Sequence, residues 1–445
     1  MNYAPFCVTG ELEALKRFSA TLYRQGLITG GRWVERSEFW SGQTVQTFEL
    51  NAADASRLPK LRTIAAAVDE LFQFFNLDIP VAQHYGILRG LFPTCRLMAE
   101  IDERGNVHLI AATDSRWEMN YQLPPLRVLK MHGERVQPLN PNSRIVLECA
   151  GAEITIPLQA DSQPIERFNT FLAAQYPDLI LSEGGDTIHF PALLQLAQQT
   201  KTSLRPDRDQ VVTTRRIETE GRTYFSYGRV IYKGPNYPLF GRWHLDARNS
   251  FTYHEAKLAG VIELARLSRT PVQRAARISP GSTMSAMTLD TALQQGMLVP
   301  WRKSEPEAYK SALSLLTVDK GGLAFQPKLG AFENVAEVDF ASMYPSLMVK
   351  YNLSPETVLC RCCQNAQVPE GQYHVCQKRR GLMSLALEPL IARRRDYKLA
   401  SITKNPPGGC RPAAVDQAML RASSAWNVST NCPASAVFAS RRSRS

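Results

Sequence analysis

Residues 338–357, VDFASMYPSLMVKYNLSPET, constrain this chain more than any other stretch. Residues 337–340 read as the end of an apolar strand that stops on a carboxylate, Asp339. A turn follows, then a helix-compatible run over 344–351 with Pro345 near its start, where a missing N–H removes no helical hydrogen bond. This order sets Asp339 at the mouth of a strand-to-helix turn. A carboxylate there can hold a hard divalent ion and leave ligand positions open to a substrate phosphate. Tyr344, five residues on, puts a rigid ring beside that position, able to pack under a nucleotide sugar and exclude a 2′-hydroxyl. Taken singly, an aspartate at a strand end is more commonly a turn former or helix cap, and a tyrosine more commonly core. Asn352-Leu353-Ser354-Pro355-Glu356-Thr357 follows directly behind, so the two segments form one extended pattern.

The rest of the chain reads as several modules of mixed α/β organisation. Ile64, Val68, Leu71, Phe72 and Phe75 recur at three and four, which predicts a helix over 61–75 with that face in a core. A Pro-rich run over 123–143 reads as a module boundary. Beyond it, 144–149 and 153–157 predict a hairpin, 166–175 an amphipathic helix, 179–182 a buried strand and 191–199 a second helix with Pro at its first turn. A further strand pair is predicted over 223–232.

Charge bears on partners and compartment. The 52 Lys and Arg against 41 Asp and Glu leave +11, a surplus that attracts polyanions and is compatible with nucleic acid. No stretch approaches the roughly 18–20 apolar residues of a membrane span, and Glu11 and Glu13 stand where a secretory signal would be apolar. These features predict an intracellular, cytoplasmic protein. Nine cysteines are too sparse for a secreted disulfide scaffold, but Cys360, Cys362, Cys363 and Cys376 cluster and are candidate zinc ligands, although their spacing lacks a pair of Cys-x-x-Cys knuckles. The plainer alternative is a cysteine-rich loop beside a core.

With its residues in view, D-x-x-S-x-Y-P-S followed by N-x-S-P-E-T closely resembles the first palm motif of family B DNA polymerases, Met343 standing where Leu is usual. The resemblance extends to Gly321-Gly322 through Pro327 to Gly330, to Arg277-Ile278-Ser279, and to residues 75–80 and 89–93, which are similar to the amino-terminal domain of archaeal-type members. It implies an α/β (α+β) multidomain architecture: an amino-terminal domain over 1–135, a ribonuclease-H-like exonuclease domain over 136–290, and the start of palm and fingers over 291–398. Asp339 would be the catalytic Mg²⁺ ligand with the Phe340 carbonyl as a second contact, and Tyr344 would discriminate the sugar. Arg394 and Lys398, four apart and so on one helix face, match the R-x-x-x-K of the fingers and would bind the nucleotide triphosphate. Arg393 and Arg395 would face solvent or the DNA backbone. The implied partners are a DNA primer-template and deoxynucleoside triphosphates, with a monomer as the default and a nucleoid-associated location.

The chain also departs from the family. It contains no Asp-Thr-Asp, the source of the second catalytic carboxylate, and no K-x-x-x-N-S-x-Y-G. Residues 399–445 hold six basic residues, one acidic residue and no Glu, in an Ala/Ser-rich context that predicts disorder or a shifted reading frame. In the exonuclease module the first strand is taken as Ile145-Val146-Leu147-Glu148, with Val146 in place of the usual Asp and Glu148 as the surviving carboxylate. Lys257 stands where the third segment would carry Asp, and Asp186 and Asp246 read as turn or cap residues. The expectation is a truncated, catalytically impaired polymerase with an inactive exonuclease fold. The alternative is a non-catalytic nucleic-acid-binding remnant.

Overall fold

The computed structural model describes residues 3–134, 143–209, 221–226, 229–301, 303, 312–313, 326, 328–336, 338, 340, 342–363 and 374–402. The amino-terminal part is built on an antiparallel sheet in the order β2-β3-β1-β4, from strands β1 (Tyr3–Thr9), β2 (Ile28–Ser37), β3 (Thr44–Ala52) and β4 (Gln73–Phe75). Helix α1 (Leu12–Arg24) starts on Glu11, whose side chain accepts from the Glu13 and Ala14 N–H groups. It packs Leu15 and Leu22 against Phe6, Val8 and Leu50 of the sheet.

The helix predicted over 61–75 is shorter and shifted: α2 spans Leu58–Ala67. The apolar residues beyond it belong to another element, because Phe74 and Phe75 pair antiparallel with Val8 and Cys7 in the sheet, and Leu71 is exposed. After α3 (Val81–Arg89) comes the hairpin β5 (Leu97–Ile101) and β6 (Val107–Ala112).

The second sheet is mixed, in the order β13-β10-β7-β8-β9. Its strands are β7 (Val128–Glu134), β8 (Arg144–Cys149), β9 (Ala152–Pro157), β10 (Leu179–Ser182) and β13 (Trp243–Asp246). The predicted hairpin and buried strand are present. The run read as a boundary, however, contains β7, which lies at the centre of the sheet, parallel to β10 and antiparallel to β8. The first strand in chain order is therefore Val128–Glu134, and residues 145–148 lie on its antiparallel neighbour.

One face of this sheet is covered by α4 (Gln163–Gln175) and α5 (Phe190–Thr200), through Ile165, Phe168, Leu172 and Leu193. A second cluster joins Leu179 and Leu245 to α6 (Tyr253–Ser268) and α7 (Val272–Arg277). The strand pair predicted over 223–232 is the hairpin β11 (Arg222–Ser226) and β12 (Arg229–Lys233).

The third body is helical. Helix α8 (Pro280–Gln294) packs with α9 (Met343–Lys350) and the long α10 (Leu382–Ile402) around Met284, Met287, Met348, Leu382, Met383, Leu387 and Leu390. Phe39, just beyond β2, and Leu267 of α6 belong to the same cluster, so all three bodies share a core there. No helix among the described residues is long and apolar enough to cross a membrane.

Candidate nucleotide and metal site

Helix α9 begins as the sequence predicts, with Pro345 in its first turn, behind Ser342 in the left-handed conformation (φ 50°). Asp339 lies outside the described residues, as do Gly321, Gly322, Pro327 and residues 403–445. Phe340 and Tyr344 are exposed, at 75% and 51%, so both rings face open surface beside the turn.

The helix carrying the predicted cationic pair packs directly against this turn. Arg394 is buried, and its Nη1 donates to Ser342 Oγ, three residues from Asp339 in the chain. Lys398, one helical turn on, is exposed. Arg395 is exposed as predicted, but Arg393 is not. It is buried, with Nε donating to Glu263 Oε1 at 2.6 Å and Nη1 to the Trp117 carbonyl at 2.6 Å. The Tyr397 hydroxyl also donates to Glu263, at 3.3 Å. Helical spacing pairs 393 with 397 and 394 with 398. It does not say which pair meets a neighbouring body, and here the first does.

The N-x-S-P-E-T segment is a remote cap for α10. Glu356 Oε1 accepts from the Leu382 N–H at 2.6 Å, and Ser354 Oγ accepts from the Met383 N–H at 3.2 Å while donating to Glu356 Oε2 at 2.6 Å. Asn352, left-handed at φ 56°, accepts from the Gly381 N–H and donates to the Cys376 and Arg379 carbonyls. Thr357 Oγ1 donates to the Asn352 carbonyl at 2.7 Å and accepts from the Ser354 N–H at 2.9 Å. Orphan donors at a helix start are thus met by side chains some 26 to 29 residues earlier in the chain. A carboxylate at that end also complements the helix dipole.

Cys360, Cys362, Cys363 and Cys376 converge: their Sγ atoms all lie within 4.8 Å of one another. Among the described residues this is the only group of three or more His, Cys, Asp or Glu side chains arranged to hold a metal ion. These are the four cysteines that the sequence singles out, and the fourth is brought to the others by the pairing of Val358 with Val375.

In the mixed sheet, Glu148 is partly exposed on β8 and meets His132 of β7, Nε2 to Oε1 at 3.0 Å, and Lys130 at 3.5 Å. The hydrogen bond from His132, with Lys130 nearby, holds its carboxyl below the usual value. Sequence reasoning passed over His132 because its strand lies in the Pro-rich run.

Asp186 is neither a turn former nor a cap but a fully buried charge. It accepts from Arg277 Nε at 2.8 Å and Nη2 at 3.0 Å, from the Tyr237 N–H and from Asn249. Burial pushes its carboxyl up, but the Arg277 and His244 side chains outweigh that and leave it below the ordinary value. Asp246 does cap: its carboxylate accepts from the Gly184, Asp186 and Arg248 N–H groups at 2.8–3.0 Å. Lys257 interrupts the helical conformation of α6 (φ 51°, ψ −163°) and lies over the Tyr253 ring at 5.5 Å.

The family pattern of DNA polymerase family B matches residues 277–406, which take in the motif turn, the cap and the cationic helix. Within that span the chain is similar to family B DNA polymerases. DNA polymerase 2 of Saccharolobus solfataricus is 34% identical over 139 residues, covering 31% of this chain and 22% of that protein. DNA polymerase 1 of Pyrococcus abyssi is 22% identical over 445 aligned residues, covering 87% of this chain and 54% of that protein. The structure of the family B DNA polymerase from Pyrobaculum calidifontis superposes with a TM-score of 0.68 at 20% identity, covering 98% of this chain and 66% of that one. The likeness extends the α/β multidomain fold over nearly the whole chain, which spans about half or less of the length of these two curated relatives.

Proposed function

We propose that this chain serves template-directed DNA synthesis as a family B DNA polymerase, adding deoxynucleotides to a primer 3′ end. The contact of Arg394 with Ser342 carries this reading, since it joins the helix of the R-x-x-x-K pair to the turn of the D-x-x-S-x-Y-P-S motif. In this reading Arg394 and Lys398 hold the triphosphate by charge-assisted hydrogen bonds, and the exposed Tyr344 ring packs under the sugar and excludes a 2′-hydroxyl. Asp339 and the Phe340 carbonyl would hold Mg²⁺, which when bound neutralises phosphate charge during transfer.

The 445 residues contain no Asp-Thr-Asp, so this polypeptide supplies one of the two carboxylates a two-metal centre needs. By itself it is expected to bind primer-template and nucleotide but to extend poorly. The mixed-sheet body is proposed to be an exonuclease-like domain kept for structure, since Glu148 is engaged by His132 and Lys130 and Asp186 by Arg277.

Filter binding of labelled deoxynucleotide in the presence of primer-template and Mg²⁺ tests the proposal. Arg394→Ala and Lys398→Ala should each weaken nucleotide retention at least about tenfold, as the loss of one charge-assisted contact predicts. Tyr344→Ala should narrow the preference for deoxy- over ribonucleotide. Steeply salt-dependent DNA binding with no nucleotide retention in any of these proteins would favour the non-catalytic nucleic-acid-binding reading instead.

A further inference from the structure

The four cysteines are not among the residues assigned to the proposed nucleotide site. They flank the segment 364–373: Cys360, Cys362 and Cys363 precede it, and Cys376 follows it, five residues before Gly381 and the start of α10. Cys360 Sγ is 3.3 Å from Cys363 Sγ, Cys362 Sγ is 4.0 Å from Cys363 Sγ and 3.4 Å from Cys376 Sγ, and all four fit within 4.8 Å. A tetrahedral ion with metal–sulfur bonds of about 2.3 Å needs sulfur–sulfur edges of about 3.8 Å, which is the scale of this cluster. Two separate disulfides would need only two close pairs. Nothing in them would draw all four sulfurs to one point.

A backbone donor reaches the cluster. The Gln377 N–H donates to Cys363 Sγ at 3.4 Å. Arg361, Lys378, Arg379 and Arg380 supply nearby positive charge in the sequence, which would offset a doubly negative tetrathiolate centre. Cys360 and Cys376 are buried, so water has little access to one side of the cluster.

We propose that Cys360, Cys362, Cys363 and Cys376 bind one structural Zn²⁺ that fastens the start of α10 to the end of the motif segment and to the amino-terminal body. The link to that body is Arg379, whose Nη1 donates to the Gly42 carbonyl at 2.9 Å and whose Nη2 donates to the Glu356 carbonyl. Gly42 is left-handed at φ 59°, and an added Cβ would overlap the Arg379 guanidinium, so this close approach requires glycine. The site closes the loop between Val358 and Val375 and thereby holds both ends of the capping network that begins α10.

The test is metal analysis of the full chain, purified under reducing conditions from zinc-supplemented cells. One zinc per chain should survive gel filtration and be released by a mercurial that titrates thiols. Cys360→Ser and Cys376→Ser should lose the metal, whereas Cys95→Ser, which changes a cysteine outside the cluster, should retain it. Because a cluster variant can fail to fold, the unaltered chain reconstituted with Co²⁺ supplies a second reading: thiolate-to-cobalt charge transfer and the strong visible bands of a tetrahedral ion. Substoichiometric zinc with four freely alkylated thiols would overturn the proposal, and so would two disulfides found by mass after alkylation without reduction. Neither measurement depends on DNA synthesis, so this inference and the polymerase reading can fail separately.

Discussion

At the residue scale, Glu356 shows how a motif can carry structure as well as identity. Its carboxylate accepts from the Leu382 N–H and from Ser354 Oγ while only 3% exposed, so its loss would leave a buried helix donor unmet. Such a group costs about 1–3 kcal/mol. Glu356→Ala is therefore expected to lower unfolding stability by that amount, read from the shift in urea midpoint, with Glu356→Gln recovering part of it. An unchanged midpoint in Glu356→Ala would mean that the cap contributes nothing measurable.

At the element scale, α10 is fixed from two sides. Its apolar stripe of Leu382, Leu387 and Leu390 packs on α8 and α9, and Arg393 and Tyr397 reach Glu263 of α6 in the mixed-sheet body. Both ends of the Arg393–Glu263 pair are nearly inaccessible, with side chains 3% and 1% exposed. Removing one partner of such a pair leaves an uncompensated buried charge and typically costs about 3–5 kcal/mol. Glu263→Ala should therefore lower the melting temperature strongly. The double variant Glu263→Ala, Arg393→Met should recover much of the loss, because it removes both charges together. Equal losses in the single and double variants would show that packing, not the charge pair, holds α10 on α6. Arg394 lies one residue from this anchor, so seating α10 also sets the cation that meets Ser342.

At the scale of the whole molecule, buried histidines link folding to pH. Burial pushes His84 and His244 down to about 4 from an ordinary 6.5, and His189 is also lowered by burial. The unfolded chain takes up these protons as pH falls through about 6.5, whereas folded His84 and His244 resist until about 4. The folded state therefore keeps its full stability above about 6.5 and loses it as pH falls toward 4, at about 1.4 kcal/mol per unit for each histidine. Urea midpoints measured from pH 7.5 to 4.5 should decline accordingly, with a shallower decline in His84→Gln. A flat profile would contradict the burial of these rings.

Local signals served well where an element's own residues decide its form. The hairpin of β8 and β9, the buried β10 and the Pro-started α5 and α9 are legible from alternation, helical spacing and first-turn proline. Where partners decide, the sequence is silent or misleading. The apolar period over 61–75 continues past the end of α2 because Phe74 and Phe75 are strand residues paired with β1. β7 is hidden among prolines, yet it becomes the central strand because β8 and β10 pair with its two edges. Glu148 could be picked out as a lone carboxylate, but its partner His132 could not, since they meet only through that pairing.

The sequence by itself determined the order D-x-x-S-x-Y-P-S, N-x-S-P-E-T and R-x-x-x-K, and with it the resemblance to family B polymerases, because these patterns lie in short stretches of chain. Only the tertiary structure decided that Arg393 is a buried anchor while Arg394 meets the motif turn, that Asp186 is locked by Arg277, and that four irregularly spaced cysteines come to one point. The reason is physical: spacing along the backbone sets which side chains share a face, whereas the packing of separate bodies sets which face loses its water and which charges must then be paired.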